Sequence, residues 1–124
     1  MIRIVIEGEP IPAARPRYSV RRVYQPKRNM EYRKRIQAAA RVAMTGKEPM
    51  SGALSVVVKL YRKYKPAARN YGDVDNHLKA HHLKALFDGM QEIVFFDDSQ
   101  ITRCVVEKFT DKDEPRAEIE IEQR

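Results

Sequence analysis

The chain has 124 residues, 43% hydrophobic and 33% charged, with a formal net charge of +7. That length suits one domain, residues 1–124, with an ordinary core. No apolar run approaches the roughly 20 residues needed to cross a membrane, so no membrane partner is expected. The charge is unevenly spread: residues 1–72 carry 17 Lys and Arg against 4 Asp and Glu, and residues 73–124 reverse this to 7 against 13. A basic first part and an acidic second part suit a nucleic-acid cradle with an acidic pit in it. A solvated basic surface is the plainer alternative.

Ile2–Glu7 alternates as a strand and lacks the features of a signal peptide. Gly8-Glu9-Pro10-Ile11-Pro12 breaks it. Arg15 through Tyr24 is basic and interleaved with tyrosines, a loop or short hairpin. A helix is expected from about Lys27 to Met44, with Met30, Ile36, Ala39, Ala40, Ala43 and Met44 on its apolar face. Thr45-Gly46 ends it, as a glycine commonly does. Ala53–Tyr61 is the clearest strand, with Leu54, Val56, Val58 and Leu60 on one face. Arg62–Tyr71 is a basic loop, and a second helix is expected from near Val74 to about Met90. Ile93–Phe96 reads as a short strand or turn. Ile101–Phe109 and Arg116–Glu122 are strands flanking the polar turn Asp111–Pro115. The sole cysteine, Cys104, lies in an expected strand and reads as a small core residue. With no internal disulfide open to it, the chain fits a reducing cytoplasm. The order predicts an α+β fold, a small mixed sheet packed with two α-helices.

One segment breaks its own pattern. His77-Leu78-Lys79-Ala80 recurs as His82-Leu83-Lys84-Ala85, five residues on. Five residues advance a helix by about 140° beyond a full turn. Val74 and Leu78 therefore fall on a different face from Leu83, Leu86, Phe87 and Met90. Removing five residues restores a regular stripe, which reads as a five-residue duplication within residues 77–86. The alternative is coincidence in a helix rich in Leu, Lys and Ala. His77 and His81 have a spacing that suits chelation, but no third ligand accompanies them.

Asp73-Val74-Asp75-Asn76, answered by Asp97-Asp98, is the chemical centre of the sequence. Clustered carboxylates repel and raise one another's pKa, and the usual compensation is a hard divalent cation such as magnesium. Beside basic surface, such a cluster points to phosphodiester chemistry on nucleic acid. The bland readings are an N-cap for Asp75 and a turn residue for Asp98.

Asp-x-Asp-Asn, Leu-x-Lys-Ala, Asp88-Gly89-Met90 and Asp97-Asp98-Ser99-Gln100-Ile101 together resemble the RusA-like Holliday junction resolvases of phages and prophages. The opening Ile4–Pro12, Arg15-Pro16-Arg17 and Tyr24-Gln25-Pro26-Lys27 extend the resemblance over essentially the whole chain. It implies a homodimer that cuts four-way junction DNA by Mg2+-dependent hydrolysis, with Mn2+ as the substitute ion. It also implies metal-binding catalytic carboxylates at Asp73, Asp75 and Asp98, with Asp97 the weaker candidate. The family's lysine maps onto Lys79, or onto Lys84 when counted back from Asp88. The repeat departs from the family pattern. It adds about 7.5 Å to a continuous helix, which leaves open a non-catalytic DNA-binding protein whose metal site is disrupted.

Arg15, Arg17, Arg21, Arg22 and Lys27 read as phosphate contacts, with Tyr18 and Tyr24 as stacking partners. Arg62, Lys63, Lys65 and Arg69 approach the carboxylates in sequence and read as contacts to the strand being cut. The expected location is the cytoplasm of a bacterial or phage-infected cell.

Overall fold

The computed structural model describes residues 1–11, 17–18, 23–24, 27–63 and 82–124. Its centre is a four-stranded mixed sheet made of β1 (Ile2–Glu7), β4 (Leu54–Arg62), β5 (Ile101–Thr110) and β6 (Arg116–Gln123), in the order β1-β6-β4-β5. β6 runs antiparallel to both β1 and β4, while β5 lies parallel to β4 at one edge. β2 (Arg17–Tyr18) and β3 (Val23–Tyr24) pair separately as a short antiparallel ribbon, the hairpin of the two alternatives, loop or short hairpin, expected there.

Alternation decides which face of the sheet is buried. Register aligns Ile2, Ile121 and Val56 in one row, Ile4, Ile119 and Val58 in the next, and Ile6, Ala117 and Leu60 in a third. All nine are buried. The rows continue onto β5 as Cys104, Val106 and Lys108. There they leave the core: Val106 is half-buried and Cys104 is exposed. This corrects the expectation of a core cysteine. Its parity is right, but it stands on the edge strand, beyond the fully covered part of the sheet.

The first helix, α1 (Lys27–Ala43), packs on β1 with Tyr32 near Glu9 and Ile11 and Arg35 beside Gly8, so that its start lies toward the end of that strand and it runs antiparallel to it. It buries Tyr32, Ile36 and Ala40, spaced by four as a helical stripe requires. Met30, expected on this face, is 52% exposed; it lies six residues from Ile36, which is off the stripe. Burial raises the pKa of the Tyr32 hydroxyl. The helix stops where Gly46 takes φ +73° and the Lys47 amide donates to the Met44 carbonyl at 2.8 Å.

The second helix is described over residues 82–90 and is called α2. His82, Leu86 and Met90 are buried, and Leu83 and Phe87 pack beside them. Gly89 faces α1 so closely that an added Cβ would lie 2.5 Å from the Ile36 Cγ2. The expected start of this helix near Val74, and the first copy of the repeat, lie outside the described residues. After α2 the chain turns through residues 92–94 with Glu92 at φ +69°. The Met50 amide then donates to the Val94 carbonyl at 2.7 Å. Ile93–Phe96 is therefore a turn with two isolated bridges, from Phe95 to Met50 and to Gln91, and it buries Val94 and Phe95.

Candidate functional site

Asp98 sits on a short 3-10 turn, Asp98–Gln100, that leads directly into β5. The turn is built by its neighbours. Asp97 is the N-cap, in extended conformation, and its Oδ2 accepts from the Ser99 amide at 3.3 Å and from the Ser99 hydroxyl. Gln100 closes the reciprocal half of a capping box: its Oε1 accepts from the amides of Phe96 (2.8 Å) and Asp97 (2.9 Å). Its Nε2 donates to the carbonyls of Met50 (2.9 Å) and Gly52 (3.1 Å). One glutamine thus ties the turn to the segment that enters β4.

This wiring separates two adjacent carboxylates. Hydrogen bonds from the Ser99 side chain, and then from its backbone, hold Asp97 below the usual carboxylate range, because they favour its charged form. The Asp98 side chain is exposed and forms no hydrogen bond or ion pair with any described residue. Its backbone carbonyl accepts from the Ile101 amide. Phe96, 58% exposed, stands two residues away. The sequence pattern placed Phe96 in a short apolar strand or turn and missed it as a surface aromatic. It also missed the capping role of Asp97, although Asp97-x-x-Gln100 carries that signal.

Three of the described basic candidates stand elsewhere. β4 and β5 are parallel, with Leu54 beside Ile101 and Arg62 beside Thr110. Arg62 and Lys63 are therefore about 26 Å from the Asp98 end, at 3.3 Å per residue. Arg62 lies 3.8 Å from Glu9 as an ion pair, and the Lys63 amide donates to Glu9 Oε2 at 2.9 Å. Lys27 opens α1, fully solvated, with Glu31 at 4.0 Å. Since α1 is antiparallel to β1, Lys27 also belongs to the Arg62 end. Arg17 lies on β2. The structure thus sets Lys27, Arg62 and Lys63 apart from Asp98. Lys84 is exposed on α2 and pairs with Asp88 at 3.6 Å. Asp73, Asp75, Lys79, Arg15, Arg21, Arg22, Lys65 and Arg69 lie outside the described residues. Among those described, no group of three His, Cys, Asp or Glu side chains could by itself hold a metal, and no helix is long and apolar enough to cross a membrane.

A small α+β fold with a solvated carboxylate on a capped turn, carried at the mouth of a parallel strand pair, can present that acid group to a cation. The endodeoxyribonuclease RusA family matches residues 7–122, and the chain belongs to that family. The family consists of nucleases that act on junction DNA and resolve Holliday junctions, in general with a divalent metal. No curated protein matches the chain.

Proposed function

We propose that this chain is a magnesium-dependent, structure-selective endonuclease that resolves four-way DNA junctions. It would act as one domain of 124 residues, as a homodimer, in the cytoplasm of a bacterial or phage-infected cell. The observation that carries the reading is the division of labour at Asp97-Asp98. Asp97 is consumed in capping, which leaves Asp98 as a hard oxygen donor held on a fixed turn. That donor chemistry fits a divalent cation, which takes carboxylate and water oxygens.

Asp73, Asp75 and Asp98 would hold the ion, whose contribution when bound is to polarise phosphate and to lower the pKa of a bound water. Lys79 neutralises charge that develops on the scissile phosphate. Lys84 is the other candidate for that role, and its pairing with Asp88 favours Lys79. Arg15, Arg17, Arg21, Arg22, Lys65 and Arg69, with Lys27, Arg62 and Lys63 at the far end of the sheet, contact phosphates. They thereby favour junction shape over sequence. Phe96 offers a face for a base unstacked at the junction.

The test is nicking of an end-labelled four-way junction, with magnesium and with chelator. Asp98→Asn should lose about 100-fold or more of the nicking, the scale of a lost transition-state contact, and still bind the junction. Undiminished nicking by Asp98→Asn would sink the assignment. Tight junction binding with no nicking by the unaltered chain would favour the non-catalytic DNA-binding alternative.

A further inference from the structure

The two edge strands of the sheet carry one pattern. β1 contains Arg3-Ile4-Val5-Ile6-Glu7, and β5 contains Arg103-Cys104-Val105-Val106-Glu107. A strand with Arg and Glu placed two residues either side of a central Val is self-complementary. Laid antiparallel on a copy of itself about that Val, it sets each Arg opposite a Glu and Val opposite Val.

The edges differ in what their charges already do. Arg3 is bound within its own sheet to Glu118 at 3.0 Å, and α1 lies along β1. Arg103 reaches only the neutral hydroxyl of Ser55, at 3.0 Å, and Glu107 forms no ion pair with any described residue. β5 is also the longest strand among the described residues, at 10 residues. Among the described residues, none pairs with its outer edge. Long unpaired edges invite further strand pairing, and natural sheets cover or blunt them.

We propose that two copies of this chain join along β5, antiparallel about Val105, with Arg103 of each opposite the partner's Glu107. The inference rests on the homodimer reading above and gives that dimer its interface, one continuous eight-stranded sheet. Charge selects the register. Centring the pair between Val105 and Val106 is excluded by the pleat, since it sets side chains of opposite faces against one another. Centring it on Val106 sets Arg103 opposite the partner's Phe109 and leaves both charges without complement. In the Val105 register, Ile101 faces the partner's Phe109. The turns that carry Asp98 then leave opposite ends of the shared ribbon, about 26 Å apart along the strand at 3.3 Å per residue. The arrangement is isologous and closed, as a two-fold dimer requires.

Sedimentation velocity on the full chain tests this at low salt and micromolar concentration. The unaltered chain should be dimeric. Arg103→Glu and Glu107→Arg should each weaken dimerisation by roughly tenfold or more, the scale of a close charge pair. The double variant Arg103→Glu/Glu107→Arg should restore it to within a few-fold. That rescue is the decisive readout, because loss of the Ser55 contact would not be repaired by changing Glu107. Arg3→Glu should leave the dimer intact. A dimer indifferent to both single changes, or not restored by the double, overturns the interface and leaves the homodimer reading standing. Loss with Arg3→Glu and not with Arg103→Glu moves the interface to β1 and also overturns it. A monomeric unaltered chain removes the homodimer reading, and this inference with it.

Discussion

Cys104 and Ile119 point to the same face of one sheet and meet different fates. Ile119 is central in its row and fully buried, while Cys104 stands on the edge strand in solvent. Ile119→Ala is expected to cost about 2–5 kcal/mol, because it removes buried methyl groups and leaves a cavity. Cys104→Ser should stay within about 0.5 kcal/mol, as surface substitutions usually do. Denaturant unfolding of the two variants checks this. Alternation in the sequence identified the buried sides of β1 and β4 correctly, because that signal is local. Edge position is a property of strand order, which no local pattern encodes, and so Cys104 was misplaced. The acidic pair is a similar case. Asp98 was singled out by its family motif, whereas the cap at Asp97 follows from the D-x-x-Q spacing of Asp97 and Gln100.

A second group of side chains shows how charge enters stability. Asp111 accepts from the amides of Asp113 (3.1 Å) and Glu114 (3.0 Å) and from Arg116 (3.0 Å). Arg116 also donates to Glu118 at 2.7 Å and lies 3.8 Å over the Tyr61 ring. The Glu114 amide above all, and then Arg116, lower the Asp111 pKa; Arg116 lowers that of Glu118. A depressed carboxyl pKa contributes stability that is present above the unfolded value of about 4. That contribution is lost as pH falls through the lower folded value. The thermal midpoint should therefore drop as the solution is acidified below about pH 4. Asp111→Asn should have a lower midpoint at neutral pH and a shallower acid dependence, read by circular dichroism across pH. An equal dependence in both proteins would remove Asp111 from the account.

At the scale of elements, α1 and α2 meet closely at Gly89. Gly89 is helical, so Gly89→Ala would by propensity alone add up to about 1 kcal/mol of stability. The new Cβ, however, would lie 2.5 Å from Ile36 Cγ2 and 2.8 Å from its Cβ, and neither atom can swing away as the end of a long side chain could. Overpacking of this kind costs about 1–3 kcal/mol, so the net effect is expected to be destabilising. Urea unfolding of Gly89→Ala measures it, and a stabilised variant would show that the helices can part at little cost. Nothing in the sequence marked Gly89 as a contact. The stripe on α1 was half legible: Ile36 and Ala40 were placed correctly, but the slot next to them went to Met30 rather than Tyr32. Hydrophobicity ranks Met above Tyr, whereas spacing by four selects Tyr32. His82, which the sequence offered only as part of the repeat, is buried in the core, where it continues the Leu86–Met90 stripe.

For the whole molecule, the mixed sheet and both helices were foreseeable from periodicity, and the RusA family match covers residues 7–122. The pairing of strands was not foreseeable. Nor was the separation of Arg62 and Lys63 from Asp98, since neighbours in sequence were expected to share a site. That separation follows from β4 running parallel to β5, which sends the chain out at one end of the sheet and brings it back at the other. Everything between Arg62 and Ile101 is therefore a single crossover connection, and the repeat lies inside it. Closing a chain segment costs entropy only as the logarithm of its length. Lengthening this connection by five residues costs on the order of 0.1 kcal/mol. A chain that lacks residues 77–81 keeps the order Asn-His-Leu-Lys-Ala at the entry to α2. It should melt within about 1 °C of the unaltered chain, and a larger shift would show that the repeat is packed as well as tolerated. A protein built on such a crossover can gain or lose a few residues ahead of its buried helix at little entropic cost, which makes that stretch of the connection the place where insertions can accumulate during descent.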